Sequence, residues 1–150
     1  MKTLIVYYSR SNTTKKVAEY LKSKLGADIE EVTTPVNYGG AIGYAKGIKD
    51  SVQEKVIEIG NLKYDPGDYD RVIIGTPVWT SKLANPILTY IKKNNSLKNV
   101  SLFIVGKSNG FEKVEEHFTK VSGVKPQKTT YILEKEINDN TFENKADALL

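Results

Sequence analysis

Short apolar runs alternate with stretches of helical periodicity along the sequence, and this alternation is the strongest constraint on the fold. The five runs are of strand length and cover residues 3–8, 28–33, 71–75, 100–105 and 128–133. Strict alternation predicts a parallel sheet with helices on both faces. Each helix then forms the right-handed crossover between two parallel strands. The second run is the most polar and is expected at an edge. We therefore expect one α/β domain, residues 1–150, with three layers and five parallel strands.

Apolar residues spaced three and four apart predict five helices and the faces that these helices bury. The positions are Val17, Leu21 and Leu25; Ala41, Ala45, Ile48 and Val52; Ile87, Leu88 and Ile91; Phe111, Val114, Phe118 and Val121; and Phe142, Ala146 and Leu149. Three asparagines are expected to be the N-caps of helices: Asn85 with Pro86 at the first helical position, Asn109 in a capping box with Glu112, and Asn140 with Glu143. A turn is expected at Asp65-Pro66-Gly67.

The composition excludes several classes of site. The 150 residues include no cysteine and one histidine, which excludes disulfide scaffolds, thiolate metal sites and multi-histidine metal sites. The net charge is +4, but lysine is interleaved with acidic residues along the chain, so we expect no nucleic-acid binding. No apolar run approaches the ~20 residues of a membrane helix. We expect a cytoplasmic protein that binds neither metal nor membrane.

Polar residues concentrate where the first strand gives way to the first helix. The segment is Ser9-Arg10-Ser11-Asn12-Thr13-Thr14, and five of its six side chains carry a hydroxyl or an amide. Hydroxyls together with the free N–H groups of a helix N-terminus form a binding site for phosphate. Simple capping of the helix is the alternative, although one serine or threonine would suffice for it. Neither Gly-x-x-x-x-Gly-Lys nor Gly-x-Gly-x-x-Gly is present, which disfavours nucleotide hydrolysis and a dinucleotide site.

Two further loops are expected at the same edge of the sheet, where open α/β folds bind ligands. Gly75-Thr76-Pro77-Val78-Trp79-Thr80-Ser81 follows the third strand, with the only tryptophan of the chain at the tip of the loop. The indole either covers the core or forms a stacking wall for a flat ring. Gly106-Lys107-Ser108-Asn109-Gly110-Phe111 follows the fourth strand, as an ordinary turn or as backbone that approaches a ligand closely. Together the three loops predict a site for a phosphorylated planar cofactor.

These residues resemble the flavodoxin family, specifically its short-chain members, over essentially the whole chain. The stretch from Tyr7 to Ala18 is similar to the phosphate loop of the family, and the stretch from Tyr69 to Trp79 to its second flavin loop. The resemblance implies a flavodoxin-like sheet in the order 2-1-3-4-5 and non-covalently bound FMN. The residues implied to bind FMN are Ser9, Arg10, Ser11, Asn12, Thr13 and Thr14 at the phosphate; Pro77, Val78, Trp79 and Thr80 at the ring; and Gly106, Lys107, Ser108, Asn109, Gly110 and Phe111 at the pyrimidine edge and ribityl chain.

The chain departs from the family pattern in ways that generate further expectations. Asn12 stands where the family usually has glycine, and asparagine tolerates the left-handed backbone needed there. Flavodoxins are typically acidic, whereas this chain is basic, so steering toward basic partners is not expected. Lys82 and Lys107 are candidates for a position near the ring, where positive charge would raise the potential of the flavin.

The expected function is that of an FMN-binding electron carrier in which no side chain acts as an acid or a base. Its partners would be redox proteins, and the protein would be a monomer or a weak dimer. An FMN-dependent NAD(P)H:quinone or flavin reductase is the first alternative, and a flavin-free interaction domain of the same fold is the second. A phosphorylatable receiver domain is disfavoured because Tyr8-Ser9 and Gly75-Thr76 stand where acidic residues would be required.

Two other features are assigned no part in the site. His117 is expected in a solvated position on the fourth predicted helix, away from the cofactor. Residues 37–44 contain three glycines and two tyrosines and are expected to be a flexible approach to the second helix. A lid or partner surface near the flavin is the alternative for that segment.

Overall fold

The computed structural model describes residues 1–150, with six strands, six α-helices and two short 3-10 turns. The strands are β1 (Thr3–Tyr7), β2 (Asp28–Glu31), β3 (Arg71–Trp79), β4 (Lys82–Leu83), β5 (Val100–Gly106) and β6 (Thr129–Leu133). The helices are α1 (Thr13–Leu25), α2 (Gly40–Val52), α3 (Asn85–Lys93), α4 (Phe111–Ser122), α5 (Glu134–Asn138) and α6 (Glu143–Ala146), and the 3-10 turns are Pro66–Asp68 and Asp147–Leu149. None of the helices combines the length and the hydrophobicity needed to cross a bilayer.

Five strands pair in parallel in the order β2-β1-β3-β5-β6, and the two-residue β4 pairs antiparallel with the end of β3. Without β4 this is the predicted order 2-1-3-4-5, so the flavodoxin-like α/β/α fold is confirmed. The most polar strand, β2, lies at an edge as predicted. Its partner β1 is buried along its whole length, as a strand covered on both faces must be.

Alternate side chains of the strands enter two separate cores, one on each face of the sheet. Leu4 and Val6 of β1 pack with α3 and α4, whereas Ile5 and Tyr7 pack with α1 and α6. This two-residue period follows from the pleat, which directs successive side chains to opposite faces. The sheet is therefore the middle of three layers, and the carboxyl ends of β1, β3 and β5 emerge together at one edge.

The predicted buried face of α2 is wrong. Ala41, Ala45, Ile48 and Val52 are exposed, and the helix instead buries a face of small and polar residues: Gly43, Gly47, Asp50 and Ser51. Glycine at position 43 lets the helix approach closely, since a Cβ there would lie 2.3 Å from the carbonyl carbon of Tyr38. Close approach of the backbone, rather than burial of large side chains, positions this helix.

Two of the predicted helix caps are wrong. Asn85 is the first residue of α3, and its buried amide donates hydrogen bonds to the carbonyls of Asp50 and Lys55. The capping box of Asn109 does not form either, because α4 begins after Gly110, whose φ of 89° serves the turn without a side-chain cap. Asn85 instead occupies a buried hydrogen-bonding site, and Asn109 lines a cavity at the edge of the sheet.

The third predicted cap also fails, although the burial predicted for its helix is confirmed. The helix begins at Glu143 with Phe142, not Asn140, as the N-cap. Asn140 lies at a φ of 57° and accepts a hydrogen bond from Lys16. Phe142, Ala146 and Leu149 are buried as expected.

Candidate functional site

A cavity of about 390 Å³ opens at the carboxyl edge of the sheet, between the loops that follow β1, β3 and β5 and the inner face of α2. Most of the residues predicted for the cofactor line it. They are Arg10, Ser11, Thr13, Thr14, Pro77, Val78, Trp79, Thr80, Gly106, Lys107, Ser108 and Asn109. The three loops that the sequence places after separate strands therefore meet at one site, as the parallel topology requires.

One end of the cavity is formed by the start of α1. Asn12 has a φ of 67°, the left-handed conformation that was expected of the residue replacing glycine. The Oγ of Ser9 accepts a hydrogen bond from the N–H of Lys15 at 3.2 Å. The N–H groups of Thr13 and Thr14 make no hydrogen bond within the chain. These free donors, with nearby hydroxyls and the positive end of the helix dipole, suit an anion.

Arg10 joins this end of the cavity to the start of α2. Its Nε donates to the carbonyl of Tyr38 at 2.8 Å, and its Nη2 lies 3.3 Å from the carbonyl oxygen of Gly40. The guanidinium also lies over the ring of Tyr44, 5.4 Å from its centroid. Arg10 therefore holds the segment before α2 against the start of α1 and places a positive charge on the cavity wall.

Trp79 forms one wall of the cavity. It is the last residue of β3, not the tip of a loop as predicted, because β3 continues past Gly75. The indole meets the rings of Tyr8 and Tyr38 edge to face, with centroids 5.6 and 5.0 Å away. Such contacts fix the orientation of the indole and keep its environment apolar.

A two-residue turn after Trp79 connects β3 to β4. Thr80 and Ser81 both have positive φ, 47° and 60°, so the turn has the twist favoured in tight hairpins. Neither residue is glycine, so the conformation is strained and surrounding contacts must stabilise it. Ser51 of α2 does so: its Oγ donates to the carbonyl of Trp79 at 2.7 Å and lies 2.6 Å from the Oγ1 of Thr80.

His117 lies outside the cavity as predicted, but the prediction that it is solvated is wrong, because its side chain is buried behind β4. Its Nδ1 accepts a hydrogen bond from the N–H of Leu83 at 3.1 Å, and its Nε2 lies 2.5 Å from Oε1 of Glu54. Since Nδ1 accepts, the ring proton is on Nε2, which donates to the carboxylate. That hydrogen bond is the main reason that the pKa of Glu54 is lowered. His117 thus supports the hairpin from below and does not line the cavity.

The two lysines proposed to lie near the ring are placed differently. Lys107 lines the cavity, whereas Lys82 does not. The Nζ of Lys82 lies 3.5 Å from the carboxylate of Glu54 and 3.5 Å from the carbonyl oxygen of Val52. The cavity wall therefore contains the cations Arg10 and Lys107 and the carboxylate of Glu134.

The segment before α2 contributes a wall of the cavity that the predicted set of site residues left out. The hydroxyl of Tyr38 donates to the buried carboxylate of Asp50 at 2.8 Å. Burial and this hydrogen bond raise the pKa of Tyr38, so the phenol stays protonated and keeps its place. Residues 37–44 were predicted to be a flexible approach to α2, with a lid or partner surface near the flavin as the alternative, and three of them line the cavity. The residues missed are Tyr38, Gly43, Tyr44, Gly47, Ile48, Ser81, Val105 and Glu134.

Four of the predicted residues do not line the cavity. Ser9 and Asn12 shape the turn into α1, as described above. Gly110, with its φ of 89°, shapes the turn into α4. The ring of Phe111 turns away from the cavity and stacks on Tyr131, with centroids 5.3 Å apart and planes 22° from parallel. These four residues support the loops, while their neighbours face the cavity.

Known proteins that resemble the chain are flavoproteins or share their fold. A flavoprotein of Lactobacillus acidophilus NCFM, crystallised in complex with FMN, is 27% identical, with a TM-score of 0.76 over 92% of this chain and 97% of its own. A protein of Bacteroides eggerthii DSM 20697 is 24% identical, with a TM-score of 0.75 over 97% of this chain and 98% of its own. An NADPH-quinone reductase of P. pentosaceus shares the fold at 12% identity, with a TM-score of 0.57 over 99% and 95%.

Comparison with curated sequences and with sequence families identifies the family of the chain. No curated protein sequence gives a significant match to the chain. The sequence profile of the family described as flavodoxin matches residues 2–148, which is nearly the whole chain. The chain therefore belongs to the flavodoxin family.

Proposed function

We propose that this protein binds FMN non-covalently and carries electrons between redox proteins. The observation that carries the proposal is the meeting of two features in one cavity: free donors at the start of α1 and the indole wall of Trp79. The volume of about 390 Å³ falls within the range of about 300–1,000 Å³ typical of small-molecule and cofactor pockets. The FMN complex of the Lactobacillus acidophilus relative supports the choice of ligand.

The residues of the cavity fit the two parts of FMN. The phosphate is a dianion, and hydroxyls of Ser11, Thr13 and Thr14 together with free helical N–H groups can replace its hydration. The isoalloxazine ring is flat and largely apolar, and the indole of Trp79 offers a surface of the same kind. Gly106 lets backbone approach the ligand without a side chain in between.

FMN supplies the redox chemistry when bound. The chain holds and orients the cofactor and excludes water from part of it. Trp79 packs edge to face with Tyr8 and Tyr38, so contacts within the chain set the position of this wall. Ser51 fixes the adjoining turn by holding the carbonyl of Trp79. Prepositioned groups lose little entropy on binding, which favours tight non-covalent retention of the cofactor.

A titration with FMN tests the binding directly. We expect quenching of flavin fluorescence with one FMN per chain, and a yellow protein after gel filtration. Absence of binding would contradict the proposal and favour a flavin-free interaction domain of this fold.

A second measurement separates the carrier from a reductase. The FMN-loaded protein is mixed with NADPH or NADH and a quinone, with and without an added flavoprotein reductase. The carrier function predicts electron flow only when the reductase is added. Rapid turnover of NADPH or NADH by the protein alone would instead make it an oxidoreductase in its own right.

A further inference from the structure

The outer side of α2 is an apolar surface that no part of the chain covers. We define the α2 apolar face as the exposed side chains of Ala41, Ile42, Ala45, Ile48 and Val52. Ile42 is 88% exposed, Val52 60% and Ile48 42%. Helical geometry brings these positions to one side of the helix, so their exposed areas adjoin. Adjoining apolar groups of this kind on a protein surface mark interaction sites.

The face is outward because the fold uses the opposite side of α2 for close packing. Gly43, Gly47 and Ser51 face inward, and Cβ atoms at the two glycines would lie 2.3 Å from Tyr38 and 3.6 Å from its ring, respectively. Rotating the helix to bury its isoleucines would remove these contacts and the hydrogen bond of Ser51 to Trp79. The exposed apolar side is thus built into the fold.

The charges around the face are positive. Lys49 lies on the same side of the helix, beside Ala45 and Val52, and makes no ion pair, whereas Lys46 lies at the edge and pairs with Asp50. The acidic residues nearby are engaged elsewhere: the buried Asp50 accepts a hydrogen bond from Tyr38 and pairs with the exposed Lys46, and Glu54 is bound to His117 and Lys82. A surface complementary to this one therefore combines an apolar centre with carboxylates at its rim.

The face is continuous with the candidate flavin site. Ile48 belongs to both, and Tyr44, which is 54% exposed beside the face, also lines the cavity. A protein seated on the α2 apolar face would lie against the edge of the cavity. Docking there would therefore bring a second redox centre near bound flavin.

Resting on the proposed function, we infer that the α2 apolar face docks an acidic redox protein that presents an apolar patch ringed by carboxylates. A second copy of this chain is a poorer fit, because a two-fold contact through the face would bring its lysines near their own copies. An anionic membrane shares the charge but has no redox centre to approach the cavity. Both are included as outcomes of the test.

The test measures binding and electron transfer with two soluble probes of opposite charge, acidic cytochrome b5 and basic cytochrome c. Binding of the oxidised protein, with and without FMN, is measured by calorimetry, and reduction of each probe by the FMN-loaded, reduced protein is measured by stopped flow. We expect tighter binding and faster transfer with cytochrome b5, both declining with salt. Separate measurement keeps docking testable even if the carrier function fails.

Three variants assign the effect to the face. Lys49→Glu and the double variant Ile42→Ser/Val52→Ser are each expected to weaken binding to cytochrome b5 by roughly three- to tenfold. The matched control is Lys22→Glu, which makes the same charge change on exposed α1, in the layer on the other side of the sheet. All three should bind FMN as the wild type does, since none of these residues lines the cavity.

The outcomes separate the two proposals. Equal effects of Lys49→Glu and Lys22→Glu, or no preference for cytochrome b5, would overturn the docking inference. Self-association in sedimentation velocity that Ile42→Ser/Val52→Ser abolishes would assign the face to a second copy and overturn it too. Co-sedimentation with phosphatidylserine vesicles, lost in the same variant, would assign it to a membrane. Binding to cytochrome b5 through the face without FMN binding would retain the docking surface and reject the carrier function.

Discussion

At the scale of single residues, the phosphate site proposed at the start of α1 depends on hydroxyls that make no hydrogen bonds within the chain. Ser11 and Thr14 line the cavity, and neither side chain makes a hydrogen bond within the chain. Thr14 is buried as a residue, but its hydroxyl oxygen is not one of the buried atoms that lack a hydrogen-bond partner, so it is accessible from the cavity. A bound phosphate would accept hydrogen bonds from both hydroxyls, and bonds to a charged acceptor are the stronger kind.

Removing these hydroxyls tests the phosphate site. Thr14→Val and Ser11→Ala should each weaken FMN affinity by about 10- to 100-fold, because a hydrogen bond to a charged group contributes about 1.5–3 kcal/mol. Riboflavin lacks the phosphate, so its affinity should change little. Ser23→Ala, near the other end of α1, is the control and should change neither. Fluorescence titrations measure all the affinities, and equal losses for FMN and riboflavin would contradict the assignment.

The two lysines considered for the ring make a second matched pair. A positive charge near a flavin stabilises the negative charge gained on reduction, which raises its midpoint potential. Lys107 lines the cavity, whereas Lys82 is held outside it by Glu54. Lys107→Gln should therefore lower the potential of bound FMN, and Lys82→Gln should leave it nearly unchanged. Spectroelectrochemical titration measures both, and the reverse order would refute the placement.

Residue positions that depend on distant partners could not be predicted from the sequence. The identity of the loops was predictable, because hydroxyl-rich and glycine-containing segments directly follow apolar strands. The burial of His117 was not, since it results from Glu54 and Leu83, which are 63 and 34 positions away. Tyr38 was missed for the same reason: its role depends on Asp50 and Trp79, which meet it only in the folded chain.

At the scale of elements, the position of α2 sets both the cavity wall and the exposed apolar face. The periodicity of its sequence correctly predicted a helix, but its large apolar residues suggested the wrong inward face. Periodicity identifies the apolar face of a helix. Here the buried face is instead the one that lets the backbone of α2 come close to the backbone at Tyr38. Gly43 and Gly47, four residues apart, were the available signal.

The two glycines of α2 give opposite stability predictions. A methyl at position 43 would collide with the backbone of Tyr38 at 2.3 Å, so Gly43→Ala should destabilise the protein by about 1–3 kcal/mol and weaken FMN binding. A methyl at position 47 would meet Tyr38 and Trp79 at 3.6–3.7 Å, an ordinary contact. Gly47→Ala should therefore stabilise by about 0.5–1 kcal/mol through helix propensity. Urea unfolding measures both, and equal shifts would contradict the packing described.

Two short elements escaped prediction because their local signals are weak. The hairpin to β4 turns at Thr80-Ser81, a pair without the glycine or asparagine that marks such turns. The helix α5 spans only five residues with a single buried apolar side chain, Ile137. Tertiary contacts such as those of Ser51 compensate for the missing local preference at the hairpin.

At the scale of the whole molecule, the class of fold followed from physics, and the strand order followed from the family resemblance. Alternation of strands and helices requires a layered parallel sheet but permits several orders of its strands. The convergence of the three loops then depends on that order, because β1 and β5 both have to lie beside β3. With another order of the strands, the hydrogen-bond donors at the start of α1 and the indole of Trp79 would lie at separate places along the edge of the sheet.

The stability of the whole molecule should fall in acid through two carboxylates that are paired in the folded state. A hydrogen bond from Lys145 lowers the pKa of Glu136, and one from His117 lowers that of Glu54. Both stay ionised in the folded chain at pH values where the unfolded chain already takes up protons. Their stabilisation is therefore complete above the ordinary carboxyl pKa of 4.5 and is lost as the pH falls through the lower folded values.

Glutamine at position 136 should remove part of this dependence. Glu136→Gln is expected to lower the melting temperature near neutral pH, where the pair with Lys145 is lost, and to converge with the wild type at about pH 3. Adding Glu54→Gln should flatten the pH profile further. Glu116→Gln, on an exposed carboxylate without an ion pair, makes the same charge change and should leave the slope as in the wild type. Melting curves from about pH 7 to 3 decide the matter: parallel profiles for all four proteins would show that acid lability originates elsewhere.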